Sequence, residues 1–258
     1  MHLGGASFRR SCVKALGAAL LAALHMPRKL PTILLAAIVA ALCVAATVSA
    51  VKGFPIYAND MSTADKKGQV RPSSGRNCTR GGSPQALRVA LGRKTRECIY
   101  RTPVIGRDLE IVATTRLLSG TPKELRRRMF LSVNLRHDEG MGRYQLRVYP
   151  LQRKYQLLRV VPGEALRYLA VGKNISAIKG TNKANRIRLR AFNLIETPDK
   201  DDCRFLVFVN GKRLAVVLDK QSGPLKGRES SFSIGSRRAA RGAIGSFDNI
   251  KILIPRPF

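Results

Sequence analysis

The alternation of apolar and polar side chains beyond about residue 98 constrains the fold of this chain more than any other feature. In RIRLRAF, residues 186–192, Ile187, Leu189 and Ala191 alternate with three arginines. A period of two residues is typical of a β-strand with one buried and one solvated face. The alternation recurs in six further segments, which are 109–118, 129–136, 144–149, 154–160, 166–171 and 247–254. Helical periodicity is almost absent after residue 52, and the fold class predicted is therefore all-β.

A hairpin is predicted in FLVFVNGKRLAVVL, residues 205–218. Asn210 and Gly211 supply the two positive-φ positions of a type I′ turn between two apolar runs. Eight or more short strands separated by turns predict an antiparallel β-sandwich of the jelly-roll type over residues 98–258. The polar, aperiodic stretch before it, residues 52–97, is predicted to be a linker.

The N-terminal region predicts a single hydrophobic helix over residues 30–51, preceded by a basic leader over residues 1–29. Residues 32–51 contain no charge, and twenty predominantly apolar residues span the hydrocarbon core of a bilayer, which is about 30 Å thick. Arg28 precedes the segment, so the C-terminal domain is predicted to lie outside a cell membrane as a single-pass ectodomain. The alternative is secretion after cleavage near Ala50, where small residues suit a signal peptidase.

The chain is strongly basic, with 47 Lys and Arg against 16 Asp and Glu and a net charge of +31. Such a field attracts anionic partners. The predicted anion-binding patch comprises Arg186, Arg188, Arg190 and Arg147. Export favours an anionic cell-wall polymer or lipid headgroups over nucleic acid, which is not expected as a native partner. A general compositional bias is the competing interpretation of the charge.

Two of the five cysteines, Cys78 and Cys98, would close a short loop in an oxidising compartment. A disulfide is predicted between them, which leaves Cys203 unpaired. The alternative is that all three are buried free thiols.

The order of these features resembles the concanavalin A-like lectin/glucanase superfamily, in its laminin G-like form. The resemblance covers about residues 100–258. Its most specific part is the end, where the VNGKRLAVVLD hairpin and a Gly-rich return precede a last strand opening at Phe247, Asp248 and Asn249. The resemblance implies a jelly roll, a fold that serves lectins, hydrolases and inert spacers alike. Asp248, with Asp108 or Glu110, would offer hard oxygen ligands to calcium; otherwise Asp248 caps a turn.

No catalytic arrangement has the required spacing in the sequence. The acidic run of the superfamily's glucanases, Glu-x-Asp-x-x-Glu, is absent, and His137 is the only histidine beyond the hydrophobic segment. No nucleophile elbow or phosphate loop is present. The sequence therefore predicts a non-enzymatic, membrane-anchored module that binds glycan or anionic surface polymer without a cofactor other than calcium. A membrane-tethered glycan hydrolase and a structural spacer or protein-interaction ectodomain are the alternatives.

Overall fold

A computed structural model describes residues 54–74, 78–83, 85–194, 202–220 and 224–255. They belong to one compact unit, Gly53–Phe258. The predicted leader and hydrophobic helix lie outside the described residues. Within those residues, no helix is both long and apolar enough to cross a membrane.

The described part of the chain contains fifteen strands and two short helices. The strands are β1 Phe54–Asn59, β2 Arg71–Ser74, β3 Cys78–Ser83, β4 Ala86–Leu91, β5 Glu97–Ile105, β6 Glu110–Leu117, β7 Met129–Asp138, β8 Gly142–Tyr149, β9 Lys154–Val160, β10 Arg167–Gly172, β11 Asn185–Leu194, β12 Asp202–Val209, β13 Lys212–Asp219, β14 Glu229–Ser236 and β15 Ile244–Ile254. The helices are α1 Ala64–Gly68 and α2 Lys123–Arg126.

The strands form two antiparallel sheets. The eight-stranded sheet has the order β13-β12-β11-β6-β15-β4-β3, with β1 added on β15, and the seven-stranded sheet has the order β10-β9-β8-β7-β14-β5-β2. Strand β15 is long enough to pair with β4 through its first half and with β1 through its second half. This architecture confirms the predicted antiparallel sandwich of the jelly-roll type.

The hydrophobic core lies between the sheets and follows the predicted alternation. Ile187, Leu189 and Ala191 of β11 are fully buried, as are the alternate residues of β7 in the opposite sheet. Aromatic rings join the two layers, and those of Tyr144 and Phe205 lie 4.4 Å apart between centroids. Burial of apolar surface at about 25 cal/mol per Å² makes this core the main source of stability.

The predicted hairpin is confirmed as β12 and β13. Asn210 and Gly211 have φ angles of 50° and 84°, the left-handed values that a type I′ turn requires. The Asn210 side chain also donates to the carbonyl of Ala177 at 2.6 Å, which fixes the turn against a neighbouring loop.

The prediction of a linker over residues 52–97 is wrong, because four strands of the sandwich lie within it. Strand β1 is an edge strand that pairs through its backbone and leaves most side chains solvated, so its sequence has little apolar periodicity. Strand β4 does carry buried alternate residues, at Leu87, Val89 and Leu91. The sandwich therefore begins with β1.

The predicted disulfide is present between Cys78 of β3 and Cys98 of β5, with 5.9 Å between their Cα atoms. It links the eight-stranded sheet to the seven-stranded sheet at one edge. Cys203 is a buried free thiol, and burial raises its pKa to about 12.

Candidate functional site

The outer face of the seven-stranded sheet, the side turned away from the core, carries an organised set of polar side chains. Residues paired across antiparallel strands project to the same side of a sheet. The register aligns one row across six adjacent strands on this face. In order, the row is Tyr168, Leu158, Gln145, Asn134, Ser231 and Arg101. The next row includes Arg147, Ser132 and Ser233.

These polar side chains are buried although they point away from the core. Ser132, Asn134, Gln145 and Ser231 are fully buried. The Gln145 amide donates to the Ser132 hydroxyl at 3.0 Å, and the Asn134 amide donates to the Ser231 hydroxyl at 2.9 Å. Burying polar groups is costly unless each has a partner, so this network fixes the side chains in one arrangement.

Glu97 lies at the centre of the network. Its Oε1 atom accepts from Ser233 Oγ and from Gln145 Nε2, each at 2.5 Å. Its Oε2 atom accepts from Arg143 Nη2 at 2.7 Å. Hydrogen bonds to a charged group are stronger than neutral ones, so Glu97 holds the residues of β8 and β14 together.

His137 lines a cavity of about 290 Å³ at one end of the face. Its Nδ1 atom lies 3.0 Å from the Ser231 hydroxyl. Burial, reinforced by the positive charges of Arg143 and Arg101, lowers its pKa to about 4. The imidazole is therefore neutral at pH 7. Its neighbours around the cavity are Ile99, Asp138, Glu139, Gly142, Arg143, Val160 and Pro162.

Gly142 shapes that cavity. Its φ angle is +102°, and a Cβ atom there would lie 2.2 Å from the carbonyl oxygen of Val160. Only glycine permits this close approach of β8 to the end of β9.

Arg101 lines a second cavity of about 480 Å³ together with Arg71 and Glu229. Its guanidinium donates to Glu229 Oε1 at 3.1 Å and also pairs with Glu139. At the other end of the row, Tyr168 on β10 is 49% exposed. The middle of the face is thus a buried, fixed polar network, next to the partly exposed side chains of Arg101 and Glu97, and an open aromatic ring lies at one side.

The four arginines predicted to form an anion-binding patch do not form one. Arg186, Arg188 and Arg190 belong to the eight-stranded sheet, whereas Arg147 belongs to the seven-stranded sheet. Arg190 is buried and pairs with Glu110 at 2.6 Å, and Arg188 pairs with the same carboxylate. The reason is register, since Glu110 of β6 lies directly opposite Arg190.

Arg147 does lie on the outer face of the seven-stranded sheet. Its guanidinium stacks on the Phe130 ring at 4.4 Å from the centroid, and its Nε atom donates to Gln145 Oε1 at 2.8 Å. It is largely buried and acts there as part of the network. Arg186 is the exposed member of the predicted set.

The three carboxylates considered for calcium do not converge. Asp248 lies opposite Thr114 and Glu110 lies opposite Leu253, so about 13 Å of strand separates them. Glu110 and Asp108 are engaged by arginines, and Asp248 accepts from Asn249 Nδ2 at 2.8 Å. Across the residues that the structure describes, no group of three or more His, Cys, Asp or Glu side chains is arranged to hold a metal ion.

Comparison with known proteins gives no match to a family model or to a curated protein. Solved structures do match. A Bacillus subtilis protein of unknown function with a galectin-like fold has a TM-score of 0.55 at 10% identity, over 81% of this chain and 100% of that one. The carbohydrate binding module CBM66 from Bacillus subtilis has a TM-score of 0.50 at 14% identity, over 72% and 95%. The Bacillus licheniformis β-glucanase has a TM-score of 0.51 at 9% identity, over 78% and 99%.

The chain has a concanavalin A-like, galectin-like jelly-roll fold. At these identities the likeness establishes the fold alone. The laminin G-like form of that fold stays a prediction.

Sequence reasoning missed the outer face of the seven-stranded sheet, although a signal was present. The outward positions of β7, β8 and β14 include serine, asparagine, glutamine and arginine at alternate positions, where a merely solvated face would favour lysine and glutamate. Residues 137–140 form a turn, in which Asp138 Oδ1 accepts from the Gly140 amide at 2.9 Å, and this turn places His137 in the cavity.

Proposed function

We propose that the outer face of the seven-stranded sheet is a non-catalytic glycan-binding surface on an exported, membrane-anchored protein. The observation that carries the proposal is the exposed Tyr168 ring on the face whose buried polar network holds the partly exposed side chains of Glu97, Arg101 and Arg143. Sugars present hydroxyl groups that both donate and accept, and carboxylate and guanidinium side chains match them. Binding sites of this kind combine such polar groups with an aromatic surface.

The preformed geometry favours binding. Glu97 is already held by Arg143 and Gln145, so a ligand does not have to order its carboxylate or the Arg143 guanidinium, and the entropic cost of binding is reduced. The description of one structural neighbour as a carbohydrate binding module supports the same assignment. Membrane anchoring rests on the uncharged segment 32–51, with secretion after cleavage near Ala50 as the alternative.

The engagement of Glu97 favours binding over catalysis. Both of its carboxylate oxygens accept hydrogen bonds from protein donors. Glycoside hydrolysis needs two carboxylates about 5–5.5 Å or 6.5–9.5 Å apart, with one free to donate a proton and the other free to attack or to activate water. Glu97 therefore fits a structural role within the binding face better than a catalytic one.

Glycan hydrolysis is the second candidate because Glu139 and Glu229 both contact Arg101. This arrangement brings two carboxylates to either side of one guanidinium. The guanidinium, however, occupies the space in which a glycosidic bond would have to lie. A hydrolase would release reducing ends from polysaccharides and would lose that activity on Glu229→Gln substitution. A binding module would release none.

The binding proposal is tested with two single variants. Tyr168→Ala removes the exposed ring without disturbing the core, and we expect it to weaken glycan binding roughly tenfold, about 1.4 kcal/mol. Arg186→Ser on the opposite sheet is the control and should bind as the wild type does. Both variants should first be shown to fold by circular dichroism.

A glycan array followed by titration calorimetry of the strongest ligand gives the measurement. Equal loss of binding in both variants would contradict the proposed location. Failure of the wild type to bind any glycan would leave the spacer or protein-interaction role.

A further inference from the structure

A separate cavity of about 220 Å³ lies at the opposite end of the seven-stranded sheet from His137. The end of β8, the turn between β8 and β9, and the loop after β14 surround it. Its lining residues are Arg128, Tyr149, Gln152, Lys154, Arg237 and Arg238. Along β8, Tyr149 is six residues from Arg143, a distance of about 20 Å, so the two cavities are distinct.

The lining is entirely basic or neutral. Four of its six side chains are cationic, and no carboxylate in the described part of the chain forms an ion pair with Arg128, Lys154, Arg237 or Arg238. This contrasts with Arg101 and Arg143 of the same sheet, which are matched by glutamates. Burial, together with the charges of Arg237 and Lys173, lowers the pKa of Lys154. The cavity therefore holds concentrated positive charge that an anion would relieve.

Tyr149 provides an independent observation. The side chain is 2% exposed, and its hydroxyl is buried without a hydrogen-bond partner among the described residues. Its ring is held by Phe130, with centroids 5.6 Å apart, and by Lys154, whose Nζ atom lies 5.6 Å from the ring centroid. Leaving a buried hydroxyl unpaired costs about 1–3 kcal/mol. An acceptor atom in the cavity would remove that cost.

We propose that this cavity binds a tetrahedral oxyanion, the phosphate or sulfate ester group of an anionic polymer or ligand. Such a group has three acceptor oxygens, which can take hydrogen bonds from the Tyr149 hydroxyl and from several guanidinium groups at once. A carboxylate has only two acceptor oxygens, and it leaves part of the lining unsatisfied. The site goes beyond the proposed glycan face and does not depend on it.

The test uses the full chain and titration calorimetry at low ionic strength with inorganic phosphate, inorganic sulfate and acetate. We expect phosphate or sulfate to bind at least tenfold more tightly than acetate. Tyr149→Phe should weaken that binding about tenfold while leaving folding stability unchanged or higher, because the hydroxyl has no protein partner to lose. The double variant Arg237→Ser/Arg238→Ser should weaken it more than tenfold.

Two controls make the outcome decisive. Arg186→Ser, which removes one exposed positive charge from the other sheet, should leave anion affinity unchanged. Tyr168→Ala should also leave it unchanged, so that failure of the glycan proposal and failure of this one are distinguishable. A preference for phosphate over sulfate, or the reverse, identifies the ester. Equal affinity for acetate, or an equal loss in Arg186→Ser, would show only diffuse attraction of counter-ions and would overturn the site.

Discussion

The buried histidine of the outer face predicts how folding stability depends on pH. In the folded protein the pKa of His137 is about 4, against an ordinary value of 6.5. As the pH falls below 6.5, His137 binds a proton in the unfolded chain but stays neutral in the folded protein. Stability is therefore complete above pH 6.5 and is lost progressively as the pH falls towards 4.

The magnitude follows from the two pKa values. At 1.36 kcal/mol for each unit of pKa, the full loss is about 3 kcal/mol, and about 2 kcal/mol of it occurs by pH 5. Between pH 6.5 and 5 most carboxylates remain ionised, so this part of the change belongs to the histidine. Its cause is chiefly burial, with Arg143 and Arg101 adding repulsion against the imidazolium.

The assay is urea denaturation at pH 7.0, 6.0 and 5.0 of the chain from Gly53 onward, which contains the whole compact unit and only this histidine. The matched variant is His137→Gln, which keeps a hydrogen-bonding side chain beside Ser231 but does not titrate. We expect the wild type to lose about 2 kcal/mol over this range and the variant to lose much less. Parallel loss in the two proteins would refute the assignment of a buried, neutral imidazole.

Three further perturbations have outcomes that the structure predicts. Gly211→Ala should destabilise the protein by about 1 kcal/mol through its positive φ angle alone, since nothing lies within 4 Å of the new methyl group, and thermal unfolding measures this. Cys78→Ser should lower the free energy of unfolding by about 3 kcal/mol in chemical denaturation, because it opens a loop of 20 residues. Unchanged stability, together with two free thiols in the wild type, would show that the disulfide does not form. Glu110→Gln should cost about 3–5 kcal/mol because it removes the carboxylate that pairs with the buried Arg190 guanidinium, and a loss below 1 kcal/mol would contradict that pairing.

Much of the fold could be predicted from local sequence because strands of a sandwich carry their own period. The segment 154–160 was predicted as a strand and coincides with β9. Asn210 and Gly211 identified the hairpin because only a few residue types tolerate the required backbone angles. These signals lie within a few residues of one another in the chain.

Edge strands and charge pairs could not be predicted in the same way. Strand β1 depends on pairing with β15, nearly two hundred residues away, and its own side chains are mostly solvated. Arg190 looked like a solvated arginine, since its partner Glu110 is 80 residues earlier and only sheet register brings the two together.

The candidate site could not be predicted either, because its residues are far apart in sequence and only sheet pairing brings them together. Glu97 meets Gln145 and Ser233 across three strands that are far apart in sequence. The alternating polar residues of β7, β8 and β14 indicated that these strands have a polar face. Which faces become neighbours depends on the strand order of the finished sheet, and no local pattern specifies that order.

Binding of a glycan to the outer face of the seven-stranded sheet can be located by hydrogen–deuterium exchange with and without the strongest glycan ligand, because exchange reports which strands the ligand protects. We expect slower exchange in β8, β9 and β10, with no change in β11, β12 and β13. Protection confined to β11, β12 and β13 would place the ligand on the opposite sheet and rule out the proposed binding face.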